Sequence, residues 1–127
     1  METAQKILVI DDEPDVVSYL SAFLEDEGFE VLEAGNGPDG LALAREQAPD
    51  LITLDITMPG MSGIEVLTTL RRDERLRRIP VIIITGVTAF EKLMDYRHVR
   101  PPEGFMSKPI DLARLLSTIE DILDRAE

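Results

Sequence analysis

Three apolar runs decide most of what this chain can fold into. Ile7-Leu8-Val9-Ile10, Leu51-Ile52-Thr53-Leu54 and Val81-Ile82-Ile83-Ile84 are short, β-rich and free of charge. A strand with one wet face alternates polar and apolar residues, so runs without alternation fit strands buried on both faces. Such strands belong to parallel sheets, and parallel neighbours must be joined by a crossover, usually a helix. The segments between the runs supply those helices. Pro14 suits a first helical turn, and Val16, Leu20, Phe23 and Leu24 recur at helical spacing until Gly28. Phe29 to Ala34 alternates like a strand, and Gly35-Asn36-Gly37 reads as a turn. Leu41, Ala44 and Ala48 mark a second helix closed by Pro49, and Ile64, Leu67 and Leu70 mark a third after the loop Pro59–Gly63. A weaker helix is expected over roughly 89–98, stopped by Pro101-Pro102, then a short strand at Phe105-Met106. Leu112, Leu115, Leu116, Ile119, Ile122 and Leu123 form the cleanest amphipathic helix. No linker, repeat or low-complexity stretch interrupts the series. The expected fold is a doubly wound α/β sandwich: a five-stranded parallel sheet, helices on both faces, one domain over residues 1–127.

Composition narrows the function. The chain has no cysteine, which removes disulfides, thiolate metal sites and cysteine nucleophiles together. No long apolar run and no basic-then-apolar start is present, so neither a membrane span nor a secretion signal is expected. A soluble, cytoplasmic domain follows as the expectation. Thirteen Lys and Arg against twenty-five Asp and Glu give a net charge of −12, which argues against direct nucleic-acid binding. Ten acids and a single base, Lys6, occupy residues 1–33, whereas Arg71, Arg72, Arg75, Arg77 and Arg78 crowd one stretch. The ordinary reading of that arginine run is a solvated helix end set favourably against the helix dipole.

The polar residues gain meaning from where they sit. Open parallel sheets bind ligands outside the carboxyl ends of their strands. Just past four strands stand Asp11 and Asp12, Asp55, Thr85 and Lys108. Each has a bland explanation by itself: a helix cap, an Asx turn, a common strand former, a solvated lysine. Together they would bring three carboxylates, a hydroxyl and an ammonium to one edge. Crowded carboxylates suit a hard divalent cation such as Mg²⁺, which takes oxygen ligands and leaves room for phosphate. Asp12 and Asp55 are the expected direct ligands, with Asp11 acting through water or orienting. Asp55, at the end of the middle strand, is best placed as a nucleophile toward phosphorus, forming an aspartyl phosphate. Lys108 and Thr85 would then balance and hold the phosphoryl oxygens.

With these residues in view, the chain resembles a known family. Ile10-Asp11-Asp12-Glu13, the block from Leu54-Asp55 to Ser62-Gly63, Ile84-Thr85-Gly86 and Ser107-Lys108-Pro109 are similar to the motifs of response-regulator receiver domains of two-component signalling. The resemblance spans essentially the whole chain. It implies a flavodoxin-like sheet in the order 2-1-3-4-5. It implies that Asp55 accepts phosphate from a sensor histidine kinase or a histidine phosphotransfer protein. It implies Mg²⁺ held by Asp12, Asp55 and the backbone carbonyl of Thr57, with Asp11 assisting, and a cis Lys108-Pro109 bond. It further implies a switch in which phosphate draws in the Thr85 hydroxyl and Phe105 turns inward, here without a phenolic hydroxyl to anchor it. Phe105 has a plain alternative as a core residue.

Departures from the family pattern fall between Thr85 and Phe105. The helix there has few apolar anchors and is expected to be short, irregular or mobile, which unsettles the family's usual output surface. Arg97, His98 and Arg100 form a basic spot whose ordinary reading is a solvated face and whose alternative is a dock for an acidic partner. Val87 and Thr57 stand where the family tunes dephosphorylation, and an apolar Val87 implies a long-lived phosphoryl group. A Mg²⁺-dependent phosphohydrolase is a competing class, but it would want a second acid two residues after the nucleophile, where Thr57 stands. A phosphorylation-independent interaction module is another, but mere scaffolding does not need the acid, Thr and Lys set. The expected function is thus a signalling switch, not a turnover enzyme. It would act on a downstream effector or through an output domain lying elsewhere, either as a stand-alone regulator, which the initial Met favours, or as a receiver from a longer protein.

Overall fold

The computed structural model describes residues 4–86 and 99–126. The helix expected near 89–98, with Val87, Arg97 and His98, lies outside them. In chain order the elements are β1 (Lys6–Ile10), α1 (Pro14–Asp26), β2 (Glu30–Ala34), α2 (Gly37–Gln47), β3 (Leu51–Leu54), α3 (Gly63–Arg72), β4 (Val81–Thr85), β5 (Gly104–Ser107) and α4 (Leu112–Ala126). All strand pairs are parallel and the sheet order is β2-β1-β3-β4-β5, as the family resemblance implied.

The non-alternating runs behave as two-face burial requires. Leu8, Ile10, Ile52, Leu54 and Ile83 point to one side, against Leu41 and Ala44 of α2 and Val66, Leu67 and Leu70 of α3. Ile7, Val9, Leu51, Ile82 and Ile84 point to the other, against Leu20 and Leu24 of α1 and Leu115 and Ile119 of α4. Two cores therefore grip the sheet, and the strand ends inherit that rigidity. The edge strand β2 is less covered and shows no strict alternation: Glu30 and Glu33 are exposed, Val31 and Leu32 half-buried, and Ala34 buried.

Three local expectations are corrected. Gly35-Asn36-Gly37 is less a free turn than a helix start: Asn36 caps α2, its side-chain oxygen accepting the Asp39 N–H at 2.8 Å. Ala48 is not part of the helical stripe. It closes α2 in the left-handed region at φ 46°, consistent with Pro49 disfavouring a helical residue before it. Ile64 stays 41% exposed, so the buried face of α3 is carried by Val66, Leu67 and Leu70 instead.

One glycine fixes the site's floor. Gly63 begins α3 and donates its N–H to the Ile56 carbonyl at 3.0 Å. A Cβ there would collide with the Asp55 carbonyl oxygen and stand 2.7 Å from the Cα of Ile56. These obstacles are backbone and cannot rotate away. Gly63→Ala is expected to destabilise the fold by about 2 kcal/mol and to displace the Asp55 loop. Urea unfolding and the amide shifts of residues 55–57 would measure both effects.

Candidate functional site

The sheet order reverses around β1, and the carboxyl ends of β1 and β3 lie side by side there. Pairing of Ile10 with Leu54, extended by the Asp55 N–H to Ile10 carbonyl bond at 3.0 Å, sets Asp11 and Asp55 next to one another. Pairing of Thr85 with Ser107, extended by the Lys108 N–H to Thr85 carbonyl bond at 2.9 Å, brings the lysine to the same edge. The Lys108-Pro109 bond is cis. Asp11 and Asp55 are buried, Thr85 is fully buried and Asp12 is half-buried.

Contacts follow from that placement. The Lys108 ammonium lies 3.0 Å from a carboxylate oxygen of Asp11, 3.0 Å from Glu13 and 3.6 Å from Asp55. The other Asp11 oxygen accepts the Glu13 N–H at 3.0 Å. Asp55 accepts the Thr57 N–H at 3.3 Å and a hydrogen bond from the Thr85 hydroxyl. The two bland readings of the acids thus fare differently. Asp55 does form an Asx-type contact, yet it also meets the site. Neither Asp11 nor Asp12 caps α1, whose N-cap is Glu13 with no side-chain cap bond. Thr57 is exposed beside Asp55, and Phe105, partly buried, packs on the α2–α3 side of the sheet.

One oxygen from each of Asp11, Asp12, Glu13 and Asp55 lies within 4.8 Å of the others. Glu13 is the member that the strand-end reasoning missed. Its signal was available: it directly follows Asp12 and precedes Pro14, at the mouth of a helix whose dipole favours a carboxylate. Four carboxylates against a single ammonium leave uncompensated negative charge, and an all-oxygen donor set of this kind fits a hard divalent cation.

Electrostatics bear out the crowding. Burial, reinforced by neighbouring Asp11, raises the Asp55 carboxyl above its ordinary value of 3.8, against the lowering influence of Lys108, Thr57 and Thr85. For Lys108, burial works against the charged form, but the hydrogen bonds to Glu13 and Asp11 outweigh it and the ammonium is held more firmly protonated than usual. Because the folded Asp55 binds its proton more tightly than the unfolded one, its contribution to stability is full below 3.8 and is lost as pH rises through the folded value. Asp55→Asn is therefore expected to stabilise the Mg²⁺-free protein at neutral pH. The gain should shrink as pH falls toward the unfolded value, which chemical denaturation across pH would reveal.

The arginine run contains a further correction. Arg71 is not solvated: its side chain is 2% exposed and pairs with Glu103 at 2.7 Å. It also donates to the carbonyls of Ile79 at 2.9 Å, Pro101 at 3.0 Å and Arg100 at 3.1 Å. Burial lowers its pKa, and the Glu103 hydrogen bond opposes that shift. The position was legible in principle, since Arg71 falls four residues after Leu67 on the buried stripe of α3.

Comparison with known proteins agrees with this geometry. Residues 7–120 match the model of the response regulator receiver domain. Protein PilH of Pseudomonas aeruginosa is 40% identical over 119 residues, covering 93% of this chain and 97% of that protein. The polar-differentiation response regulator DivK of Brucella anthropi is 37% identical over 124 residues, covering 96% and 98%. Among solved structures, the chemotaxis protein CheY4 of Vibrio cholerae superposes with TM-score 0.85 at 30% identity, covering 94% of this chain and 99% of that one. A sensor protein from Polaromonas sp. JS666 reaches TM-score 0.90 at 22% identity, covering 98% and 100%, and shows the shared fold alone. No helix among the described residues is long and apolar enough to cross a membrane. The chain belongs to the response regulator receiver domain family, the signalling modules of two-component systems.

Proposed function

We propose that this chain is a phosphorylation-driven switch in which Asp55 takes a phosphoryl group from the phosphohistidine of a sensor histidine kinase or histidine phosphotransfer protein. The observation that carries the reading is the buried Asp55 carboxylate, hydrogen-bonded by Thr85, 3.6 Å from Lys108 and inside a four-carboxylate cluster. A carboxylate oxygen of Asp55 forms the bond to phosphorus as the bond from phosphorus to the donor imidazole breaks. The leaving nitrogen keeps the electron pair and takes up a proton. Phosphoryl transfer asks the protein mainly for positioning and charge neutralisation. Mg²⁺, held by Asp12, Asp55 and the Thr57 carbonyl with Asp11 assisting, supplies part of that neutralisation when bound. Lys108 supplies the rest from the side of β5, and Thr85 donates to a phosphoryl oxygen.

The consequence of phosphorylation is a population shift. Thr85 is drawn toward the phosphoryl group and Phe105 moves inward, altering the face offered to a downstream effector or output domain in the cytoplasm. The extent of the shift equals the difference in interaction free energy between the two states. On this reading residues 1–127 act as one receiver domain.

Incubation with Mg²⁺ and a small acyl phosphate, read by intact mass, tests the proposal. The parent should gain one phosphoryl group and Asp55→Asn none. Equal gain in both, or none in the parent, would overturn it.

A further inference from the structure

We propose that the pole of the sheet opposite Asp55 carries a binding site for a small diphosphate-bearing ligand, built by Arg78, Arg100 and Arg125. The fold assembles it. Arg78 and Pro80 precede β4, Arg100 and Glu103 precede β5, and Ile122 and Arg125 close α4, which returns antiparallel to the strands. These residues line one cleft of about 310 Å³, and a recess of about 250 Å³ shares Arg78 and Arg100 and adds Arg77.

The cations there are underused. Among the described residues Arg78 makes no hydrogen bond or ion pair, and the Arg125 side chain meets only the Asp121 carbonyl, at 3.3 Å. The one carboxylate, Glu103, is already engaged. One oxygen accepts Arg71 and the Val81 N–H, each at 2.7 Å, and the other lies 3.2 Å from Arg100. Arg100 is further anchored by the Arg77 carbonyl at 2.7 Å, so part of its ordering cost is met before any ligand arrives. Guanidinium forks match phosphate oxygens bidentately. Two adjoining recesses sharing two arginines suit two linked phosphates better than one.

Size and class follow from the surroundings. The chain as a whole is strongly acidic, at −12, so a long nucleic acid would be repelled outside the cleft while a small anion is not. Pro80 and Ile122 add an apolar wall against which a nucleoside could rest.

Calorimetric titration with ADP and with inorganic pyrophosphate, without Mg²⁺ and at low salt, tests the proposal. At least one probe should bind saturably, one per chain, and weaken as salt is added. The paired change Arg78→Gln with Arg125→Gln should lower affinity about tenfold or more. The paired change Arg72→Gln with Arg75→Gln removes the same charge outside the cleft and should leave affinity unchanged, with circular dichroism confirming that both variants are folded. Tighter binding of ADP identifies a nucleotide ligand, and equal binding identifies the diphosphate as the recognised group. Absence of saturable binding by either probe, or equal weakening in both paired variants, would overturn the assignment.

Discussion

Lys108→Met is expected to slow phosphoryl uptake by about 100-fold or more at saturating Mg²⁺. The ammonium stands 3.6 Å from Asp55 and 3.0 Å from both Asp11 and Glu13. Negative charge spreads over the phosphoryl oxygens during transfer, and a fixed cation in a part-buried site stabilises it without reorganising at the moment of reaction. Methionine keeps the length of the stem and removes only the charge and its donors. Affinity for Mg²⁺ should not fall, because the four carboxylates remain and their repulsion grows. Time courses of phosphoryl uptake by intact mass, beside a Mg²⁺ titration of the variant, separate the two effects. Unchanged uptake would reduce Lys108 to a structural tether between β5 and the start of α1.

At the far pole, Glu103→Ala is expected to destabilise the fold by about 3 kcal/mol. The variant strands the Arg71 guanidinium, whose side chain is 2% exposed, without its counter-charge. It also removes the acceptor of the Val81 N–H at the start of β4. A buried charge that loses its partner costs far more than the pair contributed, since its desolvation is no longer offset. Glu103→Gln should cost less, because an amide oxygen still accepts from both donors. Urea unfolding of the two variants measures the order directly. A loss below about 0.5 kcal/mol for Glu103→Ala would mean that Arg71 finds other compensation.

These two residues also mark where sequence reading succeeds and where it stops. Lys108 was legible because it stands just past a short strand, and parallel strands bring the residues at their carboxyl ends to one edge. The same logic exposed Asp11, Asp12, Asp55 and Thr85, all of which reach the same sheet edge. The order of the strands was not written in periodicity; it came through resemblance. Arg71 was hidden because five arginines in one stretch look alike by charge, and only its helical phase distinguishes it. Its partner Glu103 lies 32 residues away, a separation that no local pattern encodes. Glu13 escaped because it sits past the strand end, on the first turn of the following connection. Ile64 and Ala48 misled for the opposite reason: an apolar residue at helical spacing need not be buried, nor even helical.

The most direct measurement is chemical trapping of the phosphorylated protein. Borohydride reduces an acyl phosphate to the alcohol, so phosphoryl-Asp55 becomes homoserine, which peptide mapping locates by mass. Homoserine at position 55, dependent on both Mg²⁺ and the phosphodonor, is the expected result. An intact Asp55 in fully phosphorylated protein, or homoserine at Asp11 or Asp12 instead, would contradict the assignment of the phosphoacceptor.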